Sequence, residues 1–563
     1  MMRQKANSIQ LNSTFSIQAI SGTHVITLGW NLPEAQTVGL LGFSIERTEL
    51  PNGSPKWLDA FKVFKSVEPV KDPTKAASTE IHPIQDFFWS DFTVHPHGKY
   101  RYRILARKGM PTALTTADEI TIDIEAEHYD PQNKHDIYFN RGVAGSQAFV
   151  REFGTGPFST IAVEKPWVWE WLSRGLREGL TTFLQQASDA TFAIRAAIYE
   201  FQYEPILTEL GNASRRGVDV KIVYCADNSD TTAKNEAAIQ HTHIENLSKR
   251  RENSSGIPHN KFIILLKNNV PIAVWTGSTN ITTGGIFGHS NLGHLVRDTA
   301  LAQKYLTYWT ALQNDTPTAA LKAITEQITS DSIQNNDLPS SFMGVLFSPR
   351  RISTRPTNPS VLDWYAKLMQ TTDAPTFITV PFGLDTRFEN VMSEGRRKLI
   401  YVLSDKADAG LTVPLIKNNL FNRIAHGAML GNTAATNGYL GWVKERLTGL
   451  NNIYYLHTKY LLIDPLGDTP LVISGSANFS TNSIGSNDEN MLVIKGDKRV
   501  AEMYFGEFMR VFKHFYFRSV ENDVNSGAAV ERIFLDETDA WRSKFYNSAK
   551  PNFAERQYFS GEI

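Results

Sequence analysis

Cysteine is almost absent. The single Cys225 in 563 residues excludes an internal disulfide, and its place in the apolar run VKIVYCAD reads as a buried strand position, not a reactive thiol. No apolar run approaches the ~20 residues that a membrane span needs, so no transmembrane segment is expected. The opening MMRQKANSIQLNSTFSIQAISG is polar and alternating and lacks the apolar core of a signal peptide. A cytoplasmic location is therefore the expectation, with export by a non-classical route left open. Charge of either sign is in little excess: 57 Lys and Arg stand against 58 Asp and Glu, which excludes the strong basic excess usual in proteins that hold long nucleic acid non-specifically. His and acidic residues show no recognisable metal-ligand spacing, so neither a metal nor a cofactor is expected.

What is present is enough apolar sequence for several cores. The chain is longer than one core usually organises. TFSIQAI, THVITLGWNL, GFSIERTEL, FFWSDFTV, KYRYRILARKG and EITIDIEAE are short alternating runs split by turn residues, the pattern of an antiparallel sandwich. His95 and His97, in the turn HPHG, read as surface polarity. From Asp136 strands and helices alternate. WVWEWLSRGLREGLTTFLQQAS reads as one helix, with Trp167, Trp169 and Trp171 assigned to packing in preference to a membrane-dipping patch. The polar stretch TSDSIQNNDLPSS is the best internal boundary, and the order of elements then repeats: VLFSPRR parallels IYFNRGV, TFITVPFGL parallels TFAIRAAIYEF, and RRKLIYVLSDKA parallels VDVKIVYCADN. Past residue 525, AVERIFLDETDAWRSKFY is helix-like.

The densest chemistry lies in LHTKYLLIDPLGDTPLVISGSANFSTNSIGSNDEN, which holds His457, Lys459, Asp464, Ser476, Asn478 and Glu489. Residues two apart on a strand share a face, so an imidazole stands beside a fixed ammonium, a pairing suited to a phosphodiester. The segment HNKFIILLKNNVPIAVWTGSTN repeats the order with His259, Lys261, Ser278 and Asn280. One imidazole cannot be deprotonated for attack and protonated for the leaving group at once, so two are needed.

These motifs resemble the phospholipase D superfamily, whose signature is H-x-K-x4-D followed by GS-x-N, once in each of two similar halves. The second copy matches in full, and the first departs at Leu266, where the family's Asp would stand. Tyrosyl-DNA phosphodiesterases, a branch of that superfamily, also lack this Asp. The alternating N-terminal region resembles a fibronectin type III module. The resemblance implies a multidomain chain: residues 1–127 an all-β fibronectin III-like sandwich, 128–338 and 339–525 two tandem α/β phospholipase D-like halves related by duplication, and 526–563 a C-terminal helix and tail. It implies a phosphohistidine route, with His259 as nucleophile and His457 as acid and then base toward water or an alcohol. Lys261, Lys459, Asn280 and Asn478 stabilise the phosphate, Asp464 completes the motif, and Ser278 and Ser476 line the substrate. Family members often place a residue eleven past the motif Asn behind the opposite half's His. Here these are Glu489, expected behind His259, and Asn291, expected behind His457.

Three functional readings stay open. The leading one is a metal-independent phosphodiesterase acting on a phospholipid head group, with peripheral membrane contact allowed. The second is a nuclease or nucleic-acid end-processing enzyme, toward which Leu266 and a basic loop at Lys249, Arg250 and Arg251 lean. The third is a scaffold with weak or no turnover. Arg396, Arg397 and Lys398 read as solvated surface charge. Two halves in one chain let a monomer form the complete site.

Overall fold

Alternating side chains bring the N-terminal strands together as two facing antiparallel sheets. The computed structural model describes residues 3–10, 13–71, 76–142, 149, 152–154, 158–227, 229–329, 338–352, 360–405, 415, 418–426, 456–522 and 534–562. The first sheet contains β1 (Arg3–Asn7), β2 (Ser16–Ser21), β3 (Ile26–Asn31) and β8 (Phe88–Asp91), in that order. The second contains β4 (Gly42–Glu49), β5 (Lys56–Trp57), β9 (Lys99–Met110) and β10 (Ala113–Glu125), in the order β10-β9-β4-β5. A short pair, β6 (Asp59–Ala60) and β7 (Ala77–Ser78), lies apart. Trp30 fills the space between the sheets, edge-on to Phe43 with ring centroids 5.3 Å apart.

The next strands are β11 (His135–Phe139), β12 (Phe192–Ile198), β13 (Asp219–Cys225), β14 (Ser248–Arg251), β15 (Lys261–Lys267), β16 (Val270–Gly277) and β17 (Leu292–Val296). They form one sheet in the order β11-β17-β16-β15-β12-β13-β14. Then come β18 (Phe342–Ser348), β19 (Thr376–Val380), β20 (Ile400–Ser404), β21 (Asn422–His426), β22 (Tyr460–Ile463), β23 (Leu471–Gly475) and β24 (Glu489–Lys495). Their order, β18-β24-β23-β22-β19-β20-β21, is that of the first sheet step for step. In each, the strand after the first helical crossover pairs parallel to its successor and antiparallel to the strand that follows the His-x-Lys motif. The helices Thr299–Gln313 and Lys498–Asn522 close the two halves. Among the described residues, no helix is long and apolar enough to cross a membrane.

One core joins all the units. Ile20 and Phe88 of the sandwich, Phe139 and Leu292 of the first half, Phe377 and Tyr460 of the second, and Tyr504, Phe505 and Phe508 of the Lys498–Asn522 helix belong to the same buried cluster. The chain's last described residues return to it.

Several expectations need correction. The helix from Trp167 onward is two helices, Val168–Ser173 and Leu176–Gln185, separated at Arg174 (φ 53°) and Gly175 (φ 90°). Arg174 leaves the helical path because its guanidinium is drawn inward to the Glu507 carboxylate (3.1 Å) and the His24 carbonyl (3.1 Å). Trp169 and Trp171 pack with Phe149, Phe153, Phe158 and Phe287 as expected, whereas Trp167 is 44% exposed. Lys249–Arg251 is no loop but the edge strand β14. Arg250 pairs with Glu236 and Glu252, and Arg251 is buried against Asp488 and Asp315. Lys398 is buried as well, its ammonium donating to the Met369 carbonyl. Most of the boundary TSDSIQNNDLPSS lies outside the described residues, as does the start of the expected C-terminal helix.

The described part of that C-terminal segment is helical only at Ala540–Arg542 and Ser543–Tyr546. The tail itself forms the helix Pro551–Ser560. Trp541 and Phe545 enter the sandwich core, and the Trp541 Nε1 donates to the Leu40 carbonyl at 2.9 Å. The tail helix ends so close to β3 that a Cβ on Gly29 would meet the Phe559 carbonyl oxygen at 2.0 Å, which leaves glycine alone at that position. Trp541→Ala should cost about 3–5 kcal/mol through the cavity it leaves, measured as a lowered midpoint in urea.

Candidate active site

The strand order carries both His-x-Lys segments to the line where the halves meet. Pro258 forms a parallel bridge with Asp488, and Ser290 forms one with Leu456, so each motif is laid beside the last strand of the opposite half. The His259 amide donates to the Asp488 carbonyl at 3.0 Å, and the His457 amide donates to the Ser290 carbonyl at 3.0 Å. The two arrangements are related by an approximate two-fold.

Side chains cross in the same way. His259 Nδ1 lies 2.9 and 3.0 Å from the two Glu489 carboxylate oxygens, and His457 Nδ1 lies 2.9 Å from Asn291 Oδ1 and 3.1 Å from the Ser278 carbonyl. The Asn291 amide is itself fixed, since its Nδ2 donates to the Gly285 carbonyl and its Oδ1 accepts from Ser278 Oγ. Every partner of the two Nδ1 atoms is an acceptor. Both rings therefore carry the proton on Nδ1 and leave Nε2 as the reactive nitrogen.

The lysines follow the same symmetry. Lys261 Nζ donates to the His259 carbonyl and Lys459 Nζ to the His457 carbonyl, each at 2.6 Å. Ser278 Oγ accepts from the Leu292 amide and Ser476 Oγ from the Asn490 amide, so both serines pin the GS-x-N turns to the neighbouring strand. Asn280 Nδ2 donates to Glu200. The Oδ1 atoms of Asn280 and Asn478 are buried with no hydrogen-bond partner among the described residues, a cost of roughly 1–3 kcal/mol each that folds tend to carry at working sites.

Burial decides the protonation states. It pulls His259 down to about 4, against the upward pull of Glu489. It drives His457 well below its ordinary value, with Lys459, His289 and Lys261 adding repulsion, and it lowers Lys261 to about 8. Lys459 falls well below its ordinary value through burial and the nearby Lys261 charge. Burial pushes Glu489 upward, but His259 and Lys261 win and hold it below the usual carboxylate value. Burial thus favours the neutral forms of these groups, and a bound anion would favour their cationic forms.

Asp464 is not brought to this place. It sits at the far end of β22 from Lys459, about 16 Å along an extended strand of ~3.3 Å per residue. There its carboxylate accepts from Tyr558 Oη at 3.1 Å. The corresponding Leu266 packs in the apolar cluster under the Thr299–Gln313 helix. Asp464→Asn should leave kcat within about threefold of the parent and cost about 1 kcal/mol of stability, read from steady-state rates and denaturant melts.

Residues the sequence did not single out complete the walls. The Tyr199 ring is 4.8 Å from the His259 ring and carries Lys261 Nζ 4.9 Å from its centroid, while Phe382 stands edge-on to His457 and 5.8 Å from Lys459 Nζ. His289 lies 5.6 Å from His457 by ring centroids. Beneath His259, Asn490 accepts from Thr276 and Tyr305 and donates to Asn260, and Asn260 donates to Tyr308. Register accounts for this placement, because Ile198 pairs with Lys261 and the next two residues, Tyr199 and Glu200, emerge beside the motif.

The fold is a two-half α/β architecture with a crossed pair of His-x-Lys segments where the halves meet. Residues 183–312 and 391–512 match the family model described as cardiolipin synthase, PLD-like domain, one segment on each sheet. A phospholipase D of Rickettsia typhi is 33% identical over 132 residues, which are 23% of this chain and 61% of that protein, so less than two thirds of the relative's length is spanned. Both matches are likenesses to phospholipase D-type proteins, and the two segments of the family model fall in the two-half region. Among solved structures, the phosphatidylserine synthase of Haemophilus influenzae is similar at 13% identity over 68% of this chain and 90% of that chain, with a TM-score of 0.37. Nuc of Salmonella typhimurium, a phospholipase D family member, is similar at 27% identity over 25% of this chain and 87% of that chain, with a TM-score of 0.21.

Proposed function

We propose that this protein is a phospholipase D-type phosphodiesterase that works through a phosphohistidine, with a phospholipid head group as its favoured leaving group. The observation that carries the reading is the crossed pairing of His259 with Glu489 and of His457 with Asn291. A carboxylate behind His259 raises the basicity of its Nε2, which suits attack on phosphorus, whereas a neutral amide behind His457 only orients that ring. His457 enters the first step as the imidazolium, having taken a solvent proton on Nε2 when the phosphodiester anion binds. The Nε2–P bond of His259 then forms, the P–O bond to the leaving group breaks, and His457 gives its Nε2 proton to the departing oxygen. In the second, His457 takes a proton from water or an alcohol, the new O–P bond forms, and His259 is released. Lys261, Lys459, Asn280 and Asn478 stabilise charge on the non-bridging oxygens. No step calls for a metal.

The substrate preference rests on charge. Arg250 and Arg251, in the basic segment that leaned toward nucleic acid, are held by the carboxylates of Glu236, Glu252, Asp315 and Asp488. The strand order β2-β3-β8 against β10-β9-β4-β5 supports a fibronectin III-like module, which we assign to positioning rather than chemistry.

The protein, incubated in EDTA with labelled phosphatidylcholine, single-stranded DNA and RNA, should release head group from the lipid, and His259→Ala should abolish that release. Nucleotide release in place of head group would move the assignment to nucleic-acid processing. No product from any of the three would favour a scaffold.

A further inference from the structure

We propose a second site, unconnected with catalysis, in which His97, Glu125 and His128 bind one divalent cation of zinc type on the sandwich. One ligand atom from each of the three residues lies within 4.8 Å of the other two. His97 Nδ1 is 2.7 Å from Glu125 Oε1, and the His97 and His128 rings are 4.4 Å apart by centroid. Two imidazoles and one carboxylate are the donor set that suits Zn2+, Co2+ or Ni2+, with water completing the coordination. Small rotations of exposed side chains separate the donors from hydrogen-bond contact to the spacing that metal bonds of ~2.0–2.2 Å require.

The three residues come from three pieces of chain. His97 lies in the turn before β9, Glu125 at the end of β10 opposite Lys99, and His128 in the segment leading to β11. Backbone pairing holds the pieces together, since the Ala126 amide donates to the Gly98 carbonyl. This juxtaposition, made by a long hairpin, explains why no ligand spacing is visible along the sequence. Lys99 competes for the carboxylate, its Nζ lying 3.6 Å from Glu125 Oε2, whereas His97 meets Oε1.

An ion here would act as a brace. The His128 carbonyl accepts from Arg499, whose Nε also pairs with Glu127 at 2.8 Å, and Arg499 belongs to the helix at the centre of the shared core. Fixing His97 and Glu125 to His128 therefore ties the tip of the sandwich to the helix that closes the second half.

Zn2+ titrated by calorimetry into untagged, chelator-stripped full-length protein should bind at one equivalent with a micromolar Kd and raise Tm by a few degrees. His97→Ala and His128→Ala should each weaken binding about 10- to 100-fold and remove the Tm rise, with unchanged circular dichroism in the absence of metal. Lys99→Ala keeps all three ligands and should tighten binding. His241→Ala, an exposed histidine elsewhere, should change nothing. Co2+ should give visible absorption bands in the parent that both histidine variants lose. Binding that is undetectable at 100-fold excess of Zn2+, or that survives His97→Ala and His128→Ala together, would overturn the assignment.

Discussion

His259→Ala is expected to lower kcat by roughly 10⁴-fold or more and to form no phosphoenzyme, because on the proposed mechanism the nitrogen that bonds to phosphorus is gone. His457→Ala leaves that nitrogen and the Glu489 behind it in place. With a p-nitrophenyl phosphodiester, whose leaving group needs no proton, attack should proceed and hydrolysis should stall, so an acid-labile phosphohistidine accumulates on a rapid acid quench. Finding the labelled species in His259→Ala and not in His457→Ala would reverse the two roles. The acid limb of kcat/KM belongs to the same argument. Burial holds His259 at about 4, so the attacking base stays unprotonated well below the ordinary histidine range, and activity should fall only as pH drops toward that value. Glu489→Gln removes the group that pulls the value upward. The limb should move to still lower pH while kcat falls about 10- to 100-fold for want of basicity.

Arg251→Met is expected to cost about 3–5 kcal/mol of stability in denaturant melts at pH 7.5, with activity lost in parallel. Arg251 Nε meets Asp488 Oδ2 at 2.9 Å with both side chains buried, and the Asp488 carbonyl holds the His259 amide. Removing the guanidinium leaves the Asp488 carboxylate without this partner, one backbone hydrogen bond away from His259. The pH dependence has a defined sign. Burial pushes Asp488 up to about 6 even with Arg251 present, so the folded state binds more protons than the unfolded state between about 4 and 6. This group's contribution to stability therefore falls as pH rises through that window. Without Arg251 the value rises further and the window extends upward, so the variant's deficit should be larger at pH 8 than at pH 5. A deficit independent of pH would mean that lost packing, not the stranded charge, dominates.

Much of this architecture was legible in the sequence because it repeats or alternates. The paired strands of the two halves follow from runs such as VDVKIVYCADN and RRKLIYVLSDKA, and the sandwich from period-two runs closed by turns. The crossing of Glu489 and Asn291 to opposite histidines was an expectation drawn from the family resemblance, which the equal distance beyond the motif asparagines only located. What escaped was set by tertiary contact. Arg174 breaks a helix whose apolar period runs through it, because Glu507 waits in the core, although the following Gly175 was a local clue. β14 reads as a polar loop until Asp488 neutralises Arg251. Asp464 belongs to the motif by spacing yet faces Tyr558, a residue nearly a hundred positions later that packs there only because the tail helix returns.

The reciprocal bridges at Pro258 with Asp488 and Ser290 with Leu456 have a bearing on how the chain behaves when damaged. Each half anchors the other's imidazole, so neither owns a finished reaction centre, and cleaving or loosening the seam silences both histidines together. Competence is in effect a logical AND of two assembled lobes. On the proposed mechanism, a nascent or partly melted chain with only one lobe assembled is inert.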